Sequence, residues 1–302
     1  MQKCEGFLNL NKPVGCSSRN LVDLVCRELK IKKVGHAGTL DPLASGVLVI
    51  AVGQATKYIQ YAQQGAKRYL ARFRFGCFSE TDDIEGEVQQ VECPLTPTEE
   101  EFTESLKPFL GEINQIPPAF SAKKVNGRRA YKLARRGVEV ELKPARVVVH
   151  QLCVVEWSWP EVVLDIQCGH GTYIRSLGRD IARALETSAV MTELQRTAVG
   201  PFLLENALSL DQKVTQQGEL ATGLLPLDAP FQDFSELLLS EEFVTRIRHG
   251  QRIWVNDFAE PPAMIRGATF VLRENRTRKF IGLGEWTEDA CLQPRALIAQ
   301  ER

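Results

Sequence analysis

The chain has 302 residues, with 37 Lys and Arg against 38 Asp and Glu, a formal net charge of −1, 44% hydrophobic residues and 25% charged ones. These are the proportions of an ordinary globular fold, and they exclude a disordered, fibrous or membrane-embedded chain; the balanced charge also argues against a uniformly basic nucleic-acid module. The length predicts one large domain plus a small one.

The opening MQKCEGFLNLNKPVG lacks a basic start followed by an apolar run, and no stretch approaches about 18 uninterrupted apolar residues, so a cytoplasmic protein with no membrane contact is expected. Gly6 to Leu10 reads as a strand. After the turn at Lys12-Pro13-Val14-Gly15, a helix capped by Ser17 or Ser18 places Leu21, Val22, Val25 and Leu29 on one face. A glycine-punctuated loop around Asp41 leads into VLVIAV, a buried strand, and a short helix from about Ala55 to Gln63. KRYLARFRFG then alternates apolar and basic residues, the pattern of a half-buried strand with one cationic face. Thr96-Pro97-Thr98-Glu99 reads as a helix start with Thr96 as the cap, and Phe102, Leu106, Phe109 and Leu110 supply its apolar stripe.

Charge is segregated along the next stretch. Cys77 to Leu106 holds ten acidic residues and no basic one, whereas Ser121 to Gly137 holds Lys123, Lys124, Arg128, Arg129, Lys132, Arg135 and Arg136 and no acid. The second segment is polarised for an anion, and its RRAYKLARRG half predicts a helix ending at Gly137. Strands are expected at about 145 to 157 and 161 to 168, followed by a turn into a helix with Ile174, Leu177, Ile181 and Leu185 inward. A proline-containing connector, GLLPLDAPFQDF, precedes a β-rich tail: a short helix ending near Gly250, then strands in IRGATFVLRE, KFIGLGEW and LIAQ. Mixed elements without a regular βαβ repeat predict an α+β fold with a mostly antiparallel sheet, in domains 1–232 and 236–302.

Eight scattered cysteines form no CxxC pair or Cys/His cluster, so they read as reduced thiols and no metal site is expected. Chemistry concentrates in GHAGTLDPLASGVLVIAVGQATK, where glycines and a proline specify backbone geometry around a lone histidine, His36, and a lone carboxylate, Asp41. A carboxylate partly withdrawn from water needs a nearby cation to stay ionised. Arg175 of GTYIRS, beside Tyr173, is suited to that because a guanidinium stays charged and can hold a carboxylate bidentately. Asp-Pro is also a common loop signal, so an ordinary turn aspartate stays open at this point. Tyr69 and Tyr131 lie among basic residues, a combination suited to stacking on an unpaired base while cations track phosphates.

Six blocks, GFLNLNKPVGCSS, GHAGTLDPLASGVLVIAVGQATK, KRYLARFRFG, PPAFSAKKVNGRRAYKLARRG, GHGTYIRSLGRD and LQRTAVGPF, stand in the order and spacing of a known family. In them the chain resembles the TruB family of tRNA pseudouridine-55 synthases of bacterial type, over nearly its whole length. The tail more loosely resembles that family's PUA-like RNA-binding module.

The resemblance implies a pseudouridine synthase fold and an isomerase that flips a T-loop uridine out of tRNA, breaks its glycosidic bond and rejoins the base through C5. It implies Asp41 as the catalytic carboxylate, paired with Arg175, and Tyr69 as stacking partner and base for the C5 proton. Leu194 would pack on the base, Lys57 would support the pocket and His36 would fill the space left in the loop. Lys12, Tyr173, Lys123, Arg128, Arg129 and Lys132 complete the expected RNA contacts. No cofactor, metal or protein partner is implied, and a monomer is expected to bind the tRNA T-stem-loop. A tRNA-binding folding factor, in which catalysis is dispensable, is the alternative.

Overall fold

The computed structural model describes residues 4–121, 123–125, 127–130, 142–209, 219–259 and 267–299. The first half supplies β1 (Gly6–Lys12), α1 (Ser18–Leu29), β2 (Val34–His36), β3 (Ser45–Val52), α2 (Ile59–Gln64), β4 (Lys67–Phe75), α3 (Glu99–Ser105) and β5 (Gly111–Gln115). There follow β6 (Ala145–Ser158), β7 (Glu161–Cys168), α4 (Ile174–Ala184), β8 (Ala189–Val199), β9 (Phe202–Leu203) and β10 (Leu208–Ser209). Among the described residues these strands form one ten-stranded sheet in the order β10-β1-β3-β8-β4-β7-β6-β5, with β2 on β3 and β9 on β8. The pairing is antiparallel except for β1 with β10 and β3 with β8.

The helices pack where their apolar faces dictate. Leu21, Val22 and Val25 of α1 close one core with Leu8, Leu10, Leu48 and Ile50. Ile174, Leu177 and Ile181 of α4 close another against Tyr69, Ala71 and Phe73 of β4 and Val162, Leu164 and Ile166 of β7. The contact between α4 and β4 is close enough to require Gly178, because a Cβ there would lie 2.1 Å from the Phe73 ring.

A second sheet of five strands holds β11 (Glu236–Leu239), β12 (Ile253–Trp254), β13 (Thr269–Glu274), β14 (Phe280–Trp286) and β15 (Cys291–Leu297), with α5 (Glu241–Arg248) beside it. Its Val271, Phe280 and Leu283 share an apolar cluster with Phe7, Tyr58 and Phe231, which joins it to the large sheet. No helix among the described residues is long and apolar enough to cross a membrane. All eight cysteines are free.

Four sequence expectations change. α3 starts later than predicted: Thr98, not Thr96, accepts from the Glu101 backbone and Glu101 answers it, since Thr98-x-x-Glu101 satisfies the same reciprocal rule two residues on. Arg128–Arg129 begins no helix but pairs with Lys124–Val125 as a two-stranded ribbon; Ala130 after it is helical, and the predicted helix beyond Ala130 lies outside the described residues. The last strand is CLQPRAL rather than LIAQ; Pro294 is accommodated next to a register shift between Leu283 and Gly284. The expected cationic face of β4 is neutralised, because Arg68, Arg72 and Arg74 pair with Asp165 at 2.5 Å, Glu156 at 2.9 Å and Glu161 at 2.6 Å.

Candidate active site

The loop carrying Asp41 is fastened from three directions. The Ser18 hydroxyl, at the start of α1, accepts from the Leu40 N–H at 2.9 Å and donates to the Leu40 carbonyl at 3.1 Å. Gly15 N–H donates to the Pro42 carbonyl at 2.8 Å, and the buried Lys12 ammonium donates to the Cys16, Pro13 and Pro42 carbonyls at 2.7, 2.9 and 3.5 Å. From β8, Arg196 donates to the Gly38 carbonyl at 3.2 Å. Gly46, at φ +100°, lets β3 pass β8 at a distance no side chain would tolerate, since a Cβ there would meet the Arg196 carbonyl at 2.2 Å.

α4 delivers the counter-charge. The Arg175 guanidinium lies 3.0 Å from the half-exposed Asp41 carboxylate and 3.3 Å from the buried carboxylate of Asp83, and donates to the Thr81 and Phe120 carbonyls at 2.8 and 3.0 Å. Asp83 is itself held by the Thr81 hydroxyl at 2.6 Å and the Glu85 N–H at 3.0 Å. Behind it, Arg179 pairs with Asp82 at 3.0 Å. Burial pushes the Asp82 carboxyl up, against the pull of Arg179, and burial with Asp83 and Asp41 pushes Glu85 up as well. Two residues of the ten-acid segment are thus spent on α4.

Asp41 and Arg175 open onto a cavity of about 500 Å³ that Tyr69, Tyr173, Leu194, Lys67 and Arg196 also line. Tyr69 faces it from β4, directly across from Arg196 of β8. Burial pushes its phenol upward, an effect Arg196 partly opposes. The Tyr173 backbone is clamped by Gln115 of β5, which accepts from its N–H at 2.8 Å and donates to its carbonyl at 3.0 Å. His36 stands beside a neighbouring cavity of about 880 Å³ whose wall also includes Asp41 and Arg175.

The structure therefore brings Asp41, Tyr69, Arg175, Tyr173 and Leu194 to one cavity and His36 to the next. It does not bring Lys57 there: that ammonium donates to the Leu297 carbonyl of β15 at 3.2 Å. Lys12 is fully buried and holds the Asp41 loop, so it has no surface to offer RNA. Lys123 is half-buried and donates to the Lys143 carbonyl at 3.4 Å. Arg128 and Arg129 are placed by backbone alone, and Lys132 and Tyr131 lie outside the described residues. Sequence reasoning missed Asp83, Gln115 and Arg196, and read Lys67 only as a phosphate-tracking neighbour of Tyr69. The signals were faint: Arg196 stands in the LQRT block and Lys67 two residues before Tyr69, but a lone cation in a strand reads as solvated.

The large sheet, with its cavity walled by β4, β8, the Asp41 loop and the start of α4, has the fold of pseudouridine synthases. A structure described as a Cbf5-Nop10-Gar1 complex superposes with a TM-score of 0.72 over 98% of this chain and 84% of that one, at 24% identity, and so speaks for the fold. Residues 27–174 match the TruB family pseudouridylate synthase N-terminal domain, 175–232 the tRNA pseudouridylate synthase B C-terminal domain, and 235–298 the C-terminal domain of pseudouridine synthase II TruB. The tRNA pseudouridine synthase B of Clostridium kluyveri is 38% identical over 280 residues, 93% of this chain and 95% of that protein. That of Marinomonas sp. is 36% identical over 298 residues, 97% and 95% of the two. The chain belongs to the TruB family of pseudouridine synthases.

Proposed function

We propose that this protein isomerises uridine 55 in the T-loop of tRNA to pseudouridine. The observation that carries this is the Asp41 carboxylate held 3.0 Å from Arg175 at the wall of a cavity of about 500 Å³ lined by Tyr69 and Leu194. Family membership and the names of the relatives supply the reaction and the RNA.

A base stacked inside folded RNA must leave its stack before its glycosidic bond can be reached, at a cost of a few kcal/mol. Stacking on Tyr69 offsets about 1 to 3 kcal/mol of this, His36 fills the space vacated, and Leu194 packs on the base. Arg175 pairs with the Asp41 carboxylate at 3.0 Å and orients it toward the sugar. The carboxylate then either attacks or takes a sugar proton as the bond to N1 breaks, and the rotated base rejoins through C5. A phenol pushed up by burial holds its own proton at neutral pH, which favours stacking over C5 deprotonation as the role of Tyr69.

In this reading residues through 232 form the catalytic unit, and a PUA-like module from 236 adds RNA contacts. The basic ribbon around Arg128 and Arg129, with Lys132, tracks phosphates, and the protein works as a cytoplasmic monomer without a protein partner. The test is tritium release from a T-stem-loop transcript labelled at C5 of its uridines, incubated with the purified protein alone. Release is expected; silence, or release only after a guide RNA or second protein is added, would overturn the proposal.

A further inference from the structure

Two cations in the cavity have no acid beside them. Lys67 is 7% exposed and Arg196 2%, and among the described residues neither lies within ion-pair distance of a carboxylate. Charges withdrawn from water are ordinarily paired, and two like charges together raise the cost further. Lys67 shares a face of β4 with Tyr69 two residues on, Arg196 stands across from Tyr69 on β8, and all three line the cavity.

Their hydrogen bonds explain position but not charge. Lys67 donates to the Gln63 carbonyl and, at 2.7 Å, to the Gly65 carbonyl at the end of α2. Those two bonds leave one N–H of the ammonium over. Arg196 donates to the Val47 and Gly38 carbonyls at 2.7 and 3.2 Å. The neighbouring thiol of Cys168 is pushed up to about 11 by burial and stays neutral. Burial, with Arg196 beside it, pulls Lys67 down to about 8.

Resting on the function proposed above, we infer that Lys67 and Arg196 are the counter-charge for the uracil ring while it is detached from the sugar. Heterolysis of the C1′–N1 bond leaves the electron pair on the base, spread over N1, O2 and O4, while C1′ is taken by the Asp41 carboxylate or C2′ gives that carboxylate a proton. C5 then bonds to C1′ as the carboxylate leaves or the C2′ proton returns; C5 gives up its proton and N1 gains one. The bound uridine is neutral and the detached ring is not, so fixed cations here stabilise the ring only after the bond has begun to break.

The experiment compares wild type, Lys67→Met and Lys67→Arg in single turnover on T-stem-loop RNA carrying either uridine or 5-fluorouridine at the target, read as loss of the original nucleoside from a nuclease digest. Fluorine stabilises the base anion, so the cation matters less for it. Lys67→Met is expected to slow uridine cleavage about 100-fold but 5-fluorouridine cleavage about tenfold or less, with RNA affinity within about threefold and most of the rate recovered in Lys67→Arg. The ratio of the two substrates is taken within one preparation, so misfolded protein cancels from it. Equal slowing on both substrates, or a loss confined to affinity, would overturn the inference. Wild type inactive on both would instead overturn the function on which it rests.

Discussion

Asp83→Asn isolates the charge behind the catalytic ion pair. The asparagine keeps an acceptor oxygen for the Thr81 hydroxyl and the Glu85 N–H, now 2.6 and 3.0 Å away, so the packing is retained and the negative charge removed. Attraction between unit charges at the 3.3 Å separating Arg175 from Asp83 is about 5 kcal/mol at an effective dielectric of 20. Relief from burying the carboxylate offsets much of that, leaving a net destabilisation of about 1 to 3 kcal/mol, measured by denaturant unfolding. Catalysis is more sensitive. With Asp41 as its remaining charged partner the guanidinium is less firmly placed, and a displacement of about 1 Å costs about 100-fold in rate. The assay is single-turnover tritium release, with RNA affinity measured in parallel and expected to hold within about threefold. Asp82→Asn is the control, because it breaks the 3.0 Å pair with Arg179, which still holds Asp180 and the Ile116 carbonyl at 3.0 and 2.7 Å and does not touch Asp41. Asp83→Asn turning over at the wild-type rate, or Asp82→Asn slowed equally, would refute the reasoning.

Further outcomes follow from the same structure. Lys67 carries its charge below about pH 8 and loses it above, so the single-turnover rate should fall between pH 8 and 9 while Tyr69 and Cys168, both pushed upward by burial, keep their protons; Lys67→Arg should abolish the fall, and a wild-type rate flat to pH 9 contradicts the assignment. Tyr69→Ala should depress turnover more than RNA affinity, because its contact with the base follows flipping; equal losses count against a stacking role. Replacing Arg128 and Arg129 by alanine should lower the slope of log affinity against log salt by roughly 1 to 2, and an unaltered slope would mean this ribbon is only solvated. Gly178→Ala should destabilise the fold by about 1 to 3 kcal/mol in denaturant unfolding, since its methyl would fall 2.1 Å from the Phe73 ring, and unchanged stability would contradict that packing.

Local rules made much of this legible. The alternation in β4, the apolar run of β3 and the inward stripe of α4 each follow from a period the sequence displays. The Asp41 loop stood out because glycines and a proline mark backbone geometry. What stayed hidden is what only the tertiary fold creates. β8 mixes Thr192, Glu193, Gln195 and Arg196 into an apolar strand, so its period is blurred, yet it lies at the centre of the sheet. Asp83 is one acid among ten in its segment, and nothing local says that it alone turns inward to Arg175. Lys12, Lys67 and Arg196 look like solvent-facing cations because charge ordinarily is; their burial depends on strands far away in the chain. Lys57 erred in the other direction, since its partner is a carbonyl of the second sheet, 240 residues on.

The most direct test of the central claim is to map pseudouridine in full-length unmodified tRNA after incubation with wild type or Asp41→Asn. Carbodiimide derivatisation before mass spectrometry is needed because the isomerisation leaves the mass unchanged. Wild type should convert one T-loop uridine, at position 55, and Asp41→Asn should bind the tRNA about as well and convert none. Product at that position from the asparagine protein, or none from wild type, would contradict the account.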